Sequence, residues 1–167
     1  DVSSLMFIQI MNFEEVKQNP DRYNVMKAFD AHIQDNFDAA VVKYIKRVND
    51  GYLVLGRHPF KLIDTTISFS KKYSYGENTP IQFFIGLHTK DQQCDILDEL
   101  NVLFELQQLH RSLLHTTAQS FDSNKILTSE DILKNLNGQF IPKKDFTSIS
   151  PLFRDNDLKI FEIIWHD

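Results

Sequence analysis

The residues most suited to chemistry crowd one short stretch. Lys43, Lys46, Arg47, Arg57, His58 and Lys61 lie among Tyr44, Tyr52 and Phe60. Cations interleaved with aromatic rings suit a nucleotide or single-stranded RNA, with charge for the phosphates and ring faces for the bases. The competing reading is structural, because about half of those rings must also pack a sheet. Other chemistries find less support. Gly51, Gly56, Gly76, Gly86 and Gly138 are isolated, so neither a phosphate-binding loop nor a dinucleotide fingerprint can be assembled. The histidines His32, His58, His88, His110, His115 and His166 form no metal-binding pair at helical spacing, so no metal and no cofactor are expected. Cys94 stands near the start of a helical pattern, where the dipole favours a thiolate, yet a half-buried structural cysteine is the plainer reading. Asp91, Asp95, Asp98 and Glu99 have the spacing of a solvated helix start and not of an acid/base pair.

The elements that must position these residues follow from hydrophobic periodicity. The apolar run at 5–10 suits a buried strand, and Asn12 with Glu14 and Glu15 reads as the start of a short helix that Pro20 ends. Tyr23, Met26, Phe29 and Ile33 recur three or four apart, which predicts a helix over 21–36. Residues 40–48 and 52–55 read as two strands joined by a tight turn at Asn49, Asp50 and Gly51. Residues 60–69, with Leu62, Ile63, Ile67, Phe69 and a Thr pair, and residues 81–87 read as two further strands joined through a polar turn, completing a meander. The longest helical stripe, Ile96, Leu97, Leu100, Leu103, Phe104, Leu106, Leu109, Leu113 and Leu114, predicts a helix over 91–115, roughly 37 Å long. Thr128 to Asp131 offers a capping box for a short helix that Asn137 and Gly138 terminate, residues 145–154 suit a helical turn or two, and 158–165 read as a last strand. The expected architecture is α+β, an antiparallel sheet packed against one long central helix with additional short helices.

Composition bounds the function. The chain has 167 residues, 42% hydrophobic and 12% aromatic, which suits one domain with its own core over 1–167. A formal net charge of −5 excludes a uniformly basic nucleic-acid surface but permits a local basic patch. One cysteine excludes a disulfide framework and points to an intracellular, reducing setting. No apolar run reaches membrane-spanning length, so no membrane partner is expected, and no export signal is visible.

The order of elements resembles the cap-binding domain of the polymerase basic protein 2 subunit of orthomyxoviruses. The stretches that carry the resemblance are Arg47-Val48-Asn49-Asp50-Gly51-Tyr52 with Val54-Leu55-Gly56-Arg57, Asn101-Val102-Leu103-Phe104, and Pro151-Leu152-Phe153-Arg154 through Leu158-Lys159-Ile160-Phe161 to Trp165. The resemblance implies a site in which two aromatic rings sandwich a methylated guanine while an acid and a lysine read its edge. Carried over, one ring falls on Phe104, the opposing ring on Asn49, the acid near Leu53 and the lysine near Thr65, so three of four ligands are missing or displaced. What it implies is a noncatalytic cap-binding-like module, most like a divergent thogotovirus member, excised from a larger subunit and serving viral transcription with a degenerate cap site at Phe104, Asn49, Tyr52, Arg57, Lys61 and Thr65. Implied partners are other viral polymerase subunits and capped or uncapped RNA; the implied location is the host nucleus and the virion. Two alternatives stay open: a genuine cap reader for cap-snatching, with Tyr52 or Tyr44 replacing the lost ring, and an unrelated α+β immunity or adaptor domain.

Overall fold

A computed structural model describes residues 3–48, 50–76, 79–90, 125–134, 136, 138–145 and 159–165. The chain runs β1 (Ser3–Ile10), α1 (Phe13–Gln18), α2 (Arg22–Asn36), β2 (Val42–Val48), β3 (Gly51–Gly56), α3 (Pro59–Ser74), β4 (Phe83–Lys90), β5 (Lys125–Ser129), α4 (Glu130–Leu133), β6 (Lys143–Asp145) and β7 (Ile160–Ile163). The fold is α+β. Among the described residues the strands form a seven-stranded sheet in the order β2-β3-β1-β4-β5-β7-β6. β1 pairs antiparallel with β3 on one side and β4 on the other, and β2 pairs antiparallel with β3. β1 and β2 therefore run parallel with β3 between them, joined through α1 and α2. β3 and β4 do the same around β1 through α3. This is the split βαβ arrangement, in which each crossover helix covers the strand it skips.

One face of the sheet meets the helices. Met6, Ile8 and Ile10 of β1, Tyr52 and Val54 of β3, and Phe83, Ile85 and Leu87 of β4 alternate onto it. Phe29 and Ile33 of α2 and Leu62, Ile63, Phe69 and Tyr73 of α3 close that core. Phe29 is its centre, with ring contacts at 5.1–6.1 Å to Tyr52, Phe69, Tyr73 and Phe83.

The structure corrects several expectations. Residues 60–69 are not a strand but the body of α3, so the meander with 81–87 does not exist. Pro59 starts the helix at a position where its missing N–H costs nothing, and Lys71 and Lys72 fill the last turn, where cations suit the dipole. The buried positions Leu62, Ile63, Thr66, Phe69, Ser70 and Tyr73 keep helical spacing, with two small hydroxyl residues masking it in the sequence. The sheet is also not antiparallel throughout, because β5 runs parallel to β4. Asn12 does not cap α1 through its side chain. It instead donates from Nδ2 to the Pro80 carbonyl at 2.8 Å and accepts the Gln82 N–H on Oδ1 at 2.9 Å, tying the loop before β4 to the end of β1. Likewise Ser129 precedes α4 without a side-chain capping bond. The long helix expected over 91–115 lies outside the described residues, as do the turns expected over 145–154 except for Asp145, which ends β6 and not a helix.

Candidate functional site

Gln9 is the one amide in the apolar run of β1, and it falls on the sheet face opposite the helices. At the same end of the sheet, the turn between β2 and β3 presents Asp50. Two bonds hold it there. The Ile10 N–H donates to the Asp50 carbonyl at 2.7 Å, and Gln9 Nε2 donates to the Asp50 carboxylate oxygen Oδ2 at 3.3 Å. The next residue must be glycine, because a Cβ on Gly51 would lie 2.2 Å from the Ile8 carbonyl oxygen. The hairpin thus lies close enough to β1 to place one half-exposed carboxylate beside one amide.

Along the same face the polar groups continue across the strands. Gln9 is in register with Phe84, and Phe84 with Lys125. Phe84 stacks on Phe7 with ring centroids 6.1 Å apart. Lys125 Nζ pairs with Glu162 Oε1 at 3.0 Å, both largely buried. Four residues further along the same two strands, His88 Nδ1 of β4 lies 2.7 Å from Ser129 Oγ of β5, both buried. Among the described residues no group of three or more His, Cys, Asp or Glu side chains is placed to hold a metal ion. A separate shallow groove of about 620 Å³ lies between the α1–α2 junction and Thr79 and Pro80.

The residues singled out from the sequence do not converge on one site. Phe104 and Asn49 lie outside the described residues. Tyr52 is 1% exposed on the helix side of β3, where its hydroxyl donates to Asp30 Oδ1 of α2 at 3.1 Å. Burial pushes its hydroxyl above the usual tyrosine range and the Asp30 carboxylate adds to that, partly offset by Arg47. Tyr44 lies on the opposite face from Tyr52, exposed on the edge strand. Arg57 follows β3 and donates from Nε to the Ala39 carbonyl at 2.7 Å, while Lys61 is exposed and Thr65 half-buried on α3. The sequence reasoning passed over Gln9 and Asp50. The available signal was an amide interrupting an apolar strand and an acid inside a tight turn, both of which also have ordinary structural explanations.

No family model matches the sequence, and no curated protein matches it either. Solved structures do. The chain is similar to an adenylate cyclase of Trypanosoma brucei in its monomeric state, with a TM-score of 0.67 and 10% identity over 98% of this chain and 88% of that one. It is similar to an adenylate/guanylate cyclase/hydrolase from Silicibacter pomeroyi, with a TM-score of 0.66 and 12% identity over 98% of this chain and 96% of that one. A bacterial light-regulated adenylyl cyclase matches with a TM-score of 0.69 and 12% identity over 98% of this chain, which spans about half (52%) of that protein's length. The fold is therefore that of adenylate and guanylate cyclase domains.

This overturns the viral reading. The likeness covers nearly the whole chain, so the short matches at 47–57, 101–104 and 151–165 do not place it with orthomyxovirus cap-binding domains. The noncatalytic transcription module and its cap-snatching alternative fall with that assignment, as do the viral polymerase subunits and RNA as partners, and the likeness gives the unrelated adaptor alternative no support. The expectation that the domain is not an enzyme rested on the viral assignment and falls with it, the structural neighbours being cyclases. The physical reason is that strand order and crossovers define a fold, whereas four-residue matches in strands and helices recur wherever the same local geometry does.

Proposed function

We propose that this chain is a nucleotidyl cyclase domain that acts on a purine nucleoside triphosphate at the end of the sheet where Gln9 and Asp50 meet. The observation that carries the reading is the whole-chain likeness to adenylate and guanylate cyclases combined with one half-exposed carboxylate held beside Gln9 by the hairpin. In the reaction, the ribose 3′ oxygen attacks the α-phosphorus and a new O–P bond forms. The bond to the β-phosphate breaks, pyrophosphate leaves, and the hydroxyl proton passes to water.

The chain's own residues supply position and charge. Gln9 orients the Asp50 carboxylate, the Ile10 N–H fixes the turn, and Gly51 permits the close approach. Among the described residues the donor set is one carboxylate and one amide, which fits a magnesium ion whose other ligands include substrate phosphates and water. Such an ion, held by Asp50 and Gln9, would neutralise charge on the triphosphate.

The test incubates the purified chain with ATP and, separately, GTP in magnesium and in manganese, with cyclic nucleotide and pyrophosphate measured by mass spectrometry. The expected result is one cyclic product, reduced about 100-fold in Asp50→Asn. Absence of cyclic product from both nucleotides, with the chain folded by circular dichroism, overturns the reading.

A further inference from the structure

The strand order leaves β2 at one end of the sheet, paired only with β3 among the described strands. Its outer side therefore presents a row of backbone N–H and C=O groups that a further strand could satisfy. Val42 and Ile45 pack toward the core, whereas Lys43, Tyr44, Lys46 and Arg47 reach solvent, with Tyr44 48% exposed. A register shift between Val42 and Tyr44 bulges the strand at Lys43. Arg57 joins the same end, because its N–H donates to the Val41 carbonyl at 3.0 Å and its Nε to Ala39. Lys61 is exposed one turn further along the chain.

These five cations have no ion-pair partner among the described residues. The ion pairs among the described residues use Lys17, Lys125, Lys134 and Lys159 instead. A cluster of cations without an ion pair among the described residues, at the edge of a chain with net charge −5, is a local reversal of the molecule's overall sign. We propose that the outer edge of β2 is a docking edge for an acidic, extended polypeptide segment that adds as an eighth strand.

Three physical arguments select that occupant. A second copy pairing through β2 would set Lys43, Lys46 and Arg47 against the same cations, which repels. A nucleic acid offers no row of amides for the strand edge, and beyond the patch its charges meet a net-negative molecule. An acidic strand satisfies the backbone row and the cations together, over the roughly 23 Å that seven extended residues span.

The experiment uses the intact chain and a fluorescein-labelled ten-residue peptide of alternating Glu and Val, with anisotropy read at 50 and 300 mM salt. Three controls accompany it: the same peptide N-methylated at alternate backbone positions, a ten-nucleotide thymidine oligomer, and phosphatidylserine vesicles. Saturable binding of the acidic peptide, weakened at least tenfold by N-methylation and by the double variant Lys46→Glu with Arg47→Glu, with slowed amide exchange in β2, supports the proposal. The double variant changes only exposed side chains, and its fold is checked by circular dichroism. No peptide binding at millimolar concentration overturns the proposal. So does equal binding of the N-methylated peptide, tighter binding of the oligomer or the vesicles, or unchanged affinity in a folded double variant. The readout does not involve cyclic nucleotide, so it fails or succeeds independently of the cyclase reading.

Discussion

The two faces of the sheet are built on different principles. The helix-covered face is closed by aromatic and aliphatic packing around Phe29, in which Tyr52 and Thr66 are polar exceptions bonded to Asp30 and to the Leu62 carbonyl. On the opposite face, buried polar groups are partnered across strands: Gln9 with Asp50, Lys125 with Glu162, His88 with Ser129. Burying apolar surface stabilises in proportion to area and tolerates many partners, whereas a buried charge is stable only with a specific one. The first face therefore holds the fold together, and the second confines its chemistry to a few fixed pairs.

The largest effect tests the first face. Phe29→Ala leaves a void among Tyr52, Phe69, Tyr73 and Phe83 and should cost about 4 kcal/mol, read as a lower denaturant midpoint with an unchanged slope. A loss under about 1 kcal/mol would mean that the site collapses freely and that the packed-face account is wrong.

The second face should respond differently to single and double changes. Lys125→Met removes the 3.0 Å partner of the largely buried Glu162 carboxylate and should cost about 3 kcal/mol, while Lys125→Met combined with Glu162→Leu should recover most of it. Additive losses in the double variant would show that the two residues do not act as a pair.

The smallest effect lies at the polar exception. Tyr52→Phe removes the bond to Asp30 and should cost about 1 kcal/mol at neutral pH. Its pH dependence has a definite sign. The folded hydroxyl titrates above its ordinary value of 10.0, so the neutral form is favoured in the folded state. That contribution is complete below pH 10 and is lost as pH rises through the folded value, since the unfolded chain then releases the proton first. The wild type should lose stability more steeply than Tyr52→Phe above pH 10, by urea titration at stepped pH. Parallel pH curves would remove Tyr52 as the cause.

Legibility in the sequence followed the same division. β1, α2, the β2–β3 hairpin, β4 and β7 stood out because their apolar residues repeat at one period and their ends carry Pro20 or Asp50-Gly51. α3 was obscured because Thr65, Thr66 and Ile67 are β-branched, and because two of its buried positions, Thr66 and Ser70, are hydroxyl residues. Gln9 and Asp50 showed only as an amide in an apolar strand and an acid in a turn, and their separation of 41 residues hid that they meet. The basic stretch 43–61 was visible as charge, but its meaning changed once β2 was found at the edge and Tyr52 turned inward.

The sequence by itself determined the α+β class, the local elements with a clean period, and the concentration of cations between 43 and 61, because these depend on neighbours within one turn or one strand. Tertiary structure alone decided that 60–69 is a helix, that β5 runs parallel to β4, and that Gln9 faces Asp50. Those depend on which distant strand a segment pairs with, and that choice is made by the sheet as a whole.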